Sequence, residues 1–216
     1  MNLQKKFSEK DLDRIRAAVQ EAESKISGEI VPVIVGKSGH YTIAHYKASV
    51  IAAAIVFSLI ILFDRYVPAM AIYDPLMIFC VVLVAGLLGA VAANYSDWVK
   101  RKVLTQRHMD NATRQRAENA FLEEEVFNTR HRTGIMIFIS FFEHEVIVMA
   151  DSGISKVVEQ KEWDKIVSVL TNNILKDKIV EGLEIALKRC GEILLEKGFH
   201  AEADDKNELR DDLRIN

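Results

Sequence analysis

Two stretches of this 216-residue chain lack charged side chains altogether. Residues 48–63 and 75–93 contain no Asp, Glu, Lys, Arg or His, although charged residues make up 27% of the sequence. The second run has 19 residues, and at about 1.5 Å per residue such a helix crosses the roughly 30 Å of bilayer hydrocarbon. The pair predicts a transmembrane helical hairpin. Because no ionisable side chain lies inside it, a transporter or channel is not expected.

Other features that are scarce exclude further classes of protein. The two cysteines, Cys80 in the second apolar run and Cys190 in a helical pattern, form neither a disulfide framework nor a zinc-ligand spacing. The first residues are basic but lack the apolar segment of a secretory signal, so we expect the hairpin itself to direct insertion. A formal net charge of −3 argues against nucleic acid as a partner.

Lysine and arginine are concentrated outside the hairpin, whereas its connecting loop carries only Arg65. The positive-inside rule places such basic flanks in the cytoplasm. We therefore expect a protein of an inner or cytoplasmic membrane, with two spans and both termini cytoplasmic. The residues expected at the membrane interface are Lys47, Trp98, Lys100, Arg101 and Lys102.

Small residues recur along the second predicted span, among them Gly86, Gly89 and Ala93. A face of small residues allows two helices to approach closely in lipid. The partner of this face is either the first span, through Ala48 and Ala52, or a second copy of the protein. The expected partners are thus the lipid bilayer and a protein partner or homo-oligomer.

The segments on both sides of the hairpin have the patterns of a soluble α/β domain. Residues 7–26 show one apolar stripe at helical spacing, with Ser8 and Asp11 as a capping box, and residues 29–35 form a β-branched strand. Because Pro32 has no N–H, we expect this strand at a sheet edge or a bulge. A helix is predicted to run from Trp98 to about Asn128, with its apolar side on the sheet.

Two further strands follow, one over residues 133–140 and one over residues 145–150, and they are expected to form a buried antiparallel hairpin. Two amphipathic helices come next. Residues 201–216 are rich in acids, and a disordered tail is expected there. The predicted domain organisation is therefore a split soluble domain, 1–47 and 98–200, around a hairpin at 48–97, with a tail at 201–216.

The order and spacing of several short motifs resemble the TPM domain family over about residues 7–199. These motifs are Ser27-Gly28-Glu29-Ile30, Thr133-Gly134-Ile135-Met136-Ile137-Phe138, Ala150-Asp151-Ser152-Gly153-Ile154, Trp163, Glu181-Gly182-Leu183 and Gly191. The resemblance implies an α/β/α sandwich around a small mixed sheet, here interrupted by the transmembrane helical hairpin. The family turn carries two glycines before an acidic residue, whereas this chain has Asp151-Ser152-Gly153.

The resemblance also implies functions, since some members are similar to divalent-cation-binding proteins and a plastid branch is linked to acid phosphatase activity. If the first two strands are parallel, Glu29 and Asp151 meet at one end of the sheet with Arg132 and Thr133. The two carboxylates would then suit a hard cation such as calcium or magnesium. The alternative is that Asp151 caps the following helix and Glu29 is solvated.

Two functional hypotheses follow. The first is an integral membrane protein that presents a TPM-like domain as a binding or scaffold module. The second is a divalent-metal-dependent acid phosphatase that uses Asp151 and Glu29. No nucleophile elbow or phosphate-binding glycine loop supports acyl or phosphoryl transfer.

Overall fold

The structure, a computed structural model, describes residues 6–67, 72, 74–201 and 207–215. The chain forms two compact units. The first unit is discontinuous and combines Met1–Ser38 with Asp110–Asn216, and the second unit is Gly39–Met109. The boundaries that we predicted after residues 47 and 97 fall inside the second unit.

The described elements alternate between helices and short strands. In chain order they are α1 (Glu9–Glu23), β1 (Glu29–Val35), α2 (Ile43–Tyr66), α3 (Pro75–Tyr95), α4 (Asp97–Val103), α5 (Gln106–Glu123), β2 (Gly134–Ser140), β3 (Glu145–Ala150), α6 (Ser152–Ser155), α7 (Gln160–Ile174), α8 (Ile179–Glu196) and β4 (Arg214–Ile215). The capping box predicted at the start of α1 is present, because the Ser8 hydroxyl accepts from Asp11 N and the Asp11 carboxylate accepts from Ser8 N.

A four-stranded mixed sheet in the order β3-β2-β1-β4 forms the centre of the first unit. The strands β1 and β2 are parallel, and β2 and β3 are antiparallel, as predicted. One face packs against buried side chains of α1, α7 and α8, and the other against Ala117 and Ala120 of α5. The mixed α/β fold class is confirmed.

The expectation that Pro32 places β1 at an edge or a bulge is wrong, because β1 pairs without interruption with β2 and lies between β2 and β4. The N–H of Glu29 bonds to Thr133 in the chain before β2, and the next N–H, that of Ile30, bonds to Glu23. Since the N–H groups along a strand point alternately to its two sides, the backbone nitrogen of Pro32 points to the same side as that of Ile30, away from β2. The pairing with β4 begins only at Val33, so the ladder loses nothing at the proline.

The expectation of a disordered tail is wrong for residues 207–215. This segment carries β4, which pairs in parallel with Val33 and Ile34 of β1. Its aliphatic side chains, Leu209, Leu213 and Ile215, pack against the cores on the two faces of the sheet. Composition alone misled here, because a few apolar residues placed at the edge of a core are enough to fix an otherwise polar segment. Residues 202–206 and 216 lie outside the described part of the chain.

The single helix expected from Trp98 to about Asn128 is divided into α4 and α5. Ser96 caps α4 by accepting from Val99 N, and Leu104 adopts an extended conformation that ends the helix. Glu123 ends α5, ahead of Glu125, which has a φ of 53°.

In the second unit, α2 and α3 are each long and apolar enough to cross a membrane. They contact each other through small residues. A Cβ on Gly89 would lie 2.6 Å from the carbonyl oxygen of Ala48, and one on Gly86 would lie 3.1 Å from the Ser49 hydroxyl. Ala93 is fully buried. Of the two partners considered for this small-residue face, the structure places the first span there.

We expect Gly134→Ala to destabilise the first unit by about 2–3 kcal/mol, because a core with no spare space resists an added methyl group. A Cβ at Gly134 would lie 1.9 Å from the carbonyl oxygen of Val126. The matched control is Gly191→Ala inside α8, where the new Cβ would meet Ala22 at an ordinary 3.4 Å. Urea unfolding of the detergent-solubilised chain measures both, and equal stabilities would contradict the tight approach at Gly134.

Candidate functional site

The residues predicted to gather at one end of the sheet do lie together. Glu29 is in register with Gly134, and Asp151 donates its N–H to the Gly134 carbonyl. The three residues therefore form a row across β1, β2 and the end of β3. Arg132 and Thr133 immediately precede β2 at the same end.

Asp151 is buried and already has two partners. Its carboxylate accepts from Ser152 N and caps α6, which confirms the capping alternative for this residue. Its Oδ2 also lies 2.9 Å from Nε of Arg132. Arg132 holds a left-handed backbone with φ 57°, and its guanidinium stacks over the Phe127 ring at 5.7 Å. Arg132 thus neutralises the negative charge of Asp151, which would otherwise attract a metal ion.

Glu29 is not solvated, since only 8% of the residue is exposed. Its Oε1 accepts from Glu208 N at 3.0 Å, and the N–H of Leu209 also bonds to the carboxylate. Burial raises the pKa of Glu29 above its usual value, and the two backbone donors oppose that rise. The expectation of a solvated Glu29 is therefore wrong.

A shared metal ion between Glu29 and Asp151 finds no support in this geometry. The two backbones are two strand spacings apart, about 10 Å. Between them, the carbonyl of Val126 lies directly over Gly134. In the described part of the chain no group of three or more His, Cys, Asp or Glu residues is placed to hold a metal ion. Binding of calcium or magnesium by this pair stays a prediction.

A second half-buried carboxylate, that of Glu23 at the end of α1, lies close to Glu29. It accepts from Ile30 N at 2.8 Å. Burial raises the pKa of Glu23 to about 8, and the negative charges of Glu29 and Asp211 add to the rise while Arg214 opposes it. Glu23 is thus protonated in part at neutral pH.

The segment 207–215, which we call the C-terminal strap, closes this end of the molecule. It contacts α1, α5, β1 and the loop before β2. Its polar contacts are Glu208 N to Glu29 at 3.0 Å, Arg130 N to Glu208 at 2.9 Å, Gln20 to Asp211 at 2.7 Å, Arg16 to Asp212 at 2.9 Å and Arg214 to Glu124 at 3.1 Å. Arg214 is only 7% exposed, so its ion pair with Glu124 is largely withdrawn from water.

The opposite end of the sheet holds another buried polar group. Ser38 donates its N–H to Glu143 at 2.9 Å and its hydroxyl to Ser140 at 2.8 Å, and the Ser140 hydroxyl donates to Glu143. Glu145 nearby bonds to Thr113, and burial raises the pKa of Glu145 above its usual value. These contacts tie the ends of β1 and β2 to the turn before β3.

The residues predicted at a membrane interface differ in exposure. Trp98 is 69% exposed, and the Lys102 ammonium lies 5.9 Å from its ring centroid. Lys47 and Arg101 are partly exposed. Lys100 of the short helix α4 is buried, and its assignment to the interface stays a prediction.

Sequence reasoning missed Glu23, Glu124 and Arg214 as one charge cluster. Each comes from a different element, and nothing in their spacing connects them. A signal was present for Arg214 alone, because it lies between Leu213 and Ile215 in the alternation typical of a strand.

Glu23→Gln should reduce the pH dependence of folding stability. A carboxyl group whose folded pKa is raised binds a proton that the unfolded chain releases, so its contribution to stability is present below about pH 4.5 and falls as the pH rises towards 8. The uncharged amide removes this loss of stability. We therefore expect the free energy of unfolding of the variant, relative to that of the parent, to increase by about 2 kcal/mol between pH 5 and pH 9. Urea unfolding at several pH values measures it. Parallel pH profiles for the two chains would contradict the assignment, and Glu21→Gln on the exposed side of α1 is the control.

The fold is similar to that of a solved bacterial protein. The NMR structure of the BA42 protein from the psychrophilic bacterium Bizionia argentinensis matches with a TM-score of 0.58 and 16% sequence identity, over 97% of this chain and 95% of that chain. At this identity the likeness concerns the fold alone. No protein-family model matches the chain, and no curated protein matches it.

Proposed function

We propose that this chain is an integral membrane protein, anchored by α2 and α3, whose TPM-like α/β unit acts as a binding or scaffold module. The observation that carries the proposal is the apolar surface of the second unit. Large hydrophobic side chains are exposed along both helices, including Ile55, Phe57, Leu83, Leu87 and Leu88. Water does not tolerate so large a contiguous apolar surface, and lipid does.

The way in which the two helices contact each other supports the same proposal. Their contact uses small residues such as Ala48 and Gly89, so the bulky side chains remain on the outside. A soluble helical pair shows the opposite arrangement, with large side chains between the helices and polar ones outside. Close packing through small residues is typical of helices in lipid.

The orientation that we propose places both ends of the hairpin in the cytoplasm. Five basic residues flank the two spans where they join the α/β unit, whereas the connection between the spans carries Arg65 alone. The five are Lys37, Lys47, Arg101, Lys102 and Arg107. The α/β unit, built from the segments before and after the hairpin, is then cytoplasmic as well.

A binding role fits the α/β unit better than catalysis. Its buried carboxylates are engaged by protein groups, since Asp151 pairs with Arg132 and Glu29 accepts from the backbone of the C-terminal strap. The second hypothesis, a divalent-metal-dependent acid phosphatase, would require these same side chains to change partners.

We expect no phosphatase turnover by the purified chain with or without divalent ions. Metal-stimulated turnover that Asp151→Asn abolishes would contradict the scaffold proposal.

Membrane insertion has a direct test. We expect the expressed chain to stay in the membrane fraction after extraction at alkaline pH, which removes peripheral proteins. Leu83→Arg with Leu87→Arg should release it, because each arginine at the centre of a span costs about 2.5–3.5 kcal/mol. Ile185→Arg, on an exposed position of α8 in the first unit, is the control and should leave extraction unchanged. Release of the parent chain under the same conditions would contradict the spans.

Orientation is tested by labelling intact cells with a membrane-impermeant maleimide. A cysteine at Asp64, beside the connection of the hairpin, should react from outside, whereas a cysteine at Thr105 should not. The parent cysteines give no signal, because Cys80 lies within a span and burial raises the pKa of the Cys190 thiol to about 12. The reverse labelling pattern would invert the orientation.

A further inference from the structure

The outer edge of β1 is covered by the end of the chain itself. Strand β4 contributes only two residues, which pair with Val33 and Ile34. The C-terminal strap is distant in sequence from α1 and β1, which it contacts, and no disulfide holds it in the described structure. Without the strap, β1 would present an unpaired strand edge, which is a template for adding another strand.

The strap is recognised by a specific pattern of side chains. Leu213 and Ile215 pack into the core on the face of α1 and α8, while Arg214 between them points to the opposite face and pairs with Glu124. Strand geometry requires this alternation, since neighbouring side chains point to opposite faces. The surface beside Val33, Ile34 and Glu124, which we call the groove, therefore fits an aliphatic–arginine–aliphatic strand.

The charge of the groove makes the arginine necessary. Glu124, just after α5, pairs with Arg214 at 3.1 Å, and Glu23 lies near enough to Arg214 and to Glu29 to interact with both through their charges. If the strap left, Glu124 would lose its cation, and Glu29 would lose the backbone donors of Glu208 and Leu209. A buried charge left without its partner is strongly destabilising. The groove is thus unfavourable when empty and needs a strand of this kind to fill it.

We propose that this groove is a strand-exchange site, in which the C-terminal strap of a second copy adds to β1 in place of the chain's own strap. Every copy carries both the groove and the strand that fits it, so reciprocal exchange satisfies both grooves and joins two chains. Exchange of an identical element is a low-cost route to a dimer, because the contacts already exist within one chain. The inference rests on the proposed binding role of the α/β unit and gives that unit its partner.

The Arg214–Glu124 pair allows a test by charge reversal. R214E sets two acids against each other at positions 124 and 214, and E124R sets two bases against each other, so neither chain can form this ion pair with its own strap. When the two variants are coexpressed with different affinity tags, the strap of each matches the groove of the other. We expect at least about tenfold more co-purification from this mixed pair than from R214E with itself, because coupling of close charge pairs exceeds the ~1.4 kcal/mol that tenfold represents.

The self-pair of R214E has the same hairpin and therefore controls for association through the membrane helices. Co-purification of the mixed pair no greater than that of the self-pair would overturn the proposal, and recovery of stability by R214E/E124R within one chain would then show that the strap acts only within its own chain. Alkaline extraction is scored on the same samples, so a failure of exchange and a failure of membrane anchoring are told apart.

A second measurement covers the case in which charge reversal prevents folding. In the full chain carrying R214A, which removes the cation without adding an opposing charge, the groove should bind a fluorescent peptide of residues 207–215 saturably. The same peptide carrying R214E should bind about tenfold more weakly or worse. Equal binding of the two peptides, or none of either, would overturn the proposal.

Discussion

The parallel pairing of β1 with β2 is the interaction on which the rest of the structure depends. Seven residues from Glu29 to Val35 match seven from Gly134 to Ser140, although the whole second unit is inserted between the two strands. A parallel pair always needs a crossover connection, and here that connection contains two apolar helices. If those helices cross a bilayer, their number must be even, because only then do both strands emerge on the same side. The sheet thus constrains the membrane topology as well as the core.

The close approach at Gly134 follows from the same pairing. The first residue of β2 lies under the carbonyl of Val126, at the point where the chain returns from α5 to the sheet. Glu29 and Asp151 lie on either side of this residue, and each carboxylate accepts a backbone N–H, from Glu208 and Ser152 respectively. The end of the sheet that the strand order suggested as a chemical centre is held together by backbone hydrogen bonds and ion pairs. The ion pair of Arg214 with Glu124 holds the C-terminal strap against the sheet.

Several elements followed from local pattern. The capping box at Ser8, the two buried strands after Thr133 and the apolar runs of the hairpin all depend on neighbours in sequence, and sequence shows them directly. The position of β1 did not follow from the sequence. Pro32 removes only one N–H donor on one side of the strand, and the short β4 on that side does not pair with residue 32. The break at Leu104 likewise has no local signal, because no proline or glycine marks it.

The sequence by itself determined the two apolar helices and the mixed α/β class, because each depends on periodicity or length. Only the tertiary structure decided that Glu29 is buried, that Lys100 faces inward and that the last residues form a strand. The physical reason is the same in all three cases. Burial and charge pairing depend on segments far apart in the chain, and Glu124, the ion-pair partner of Arg214, lies 90 residues before it.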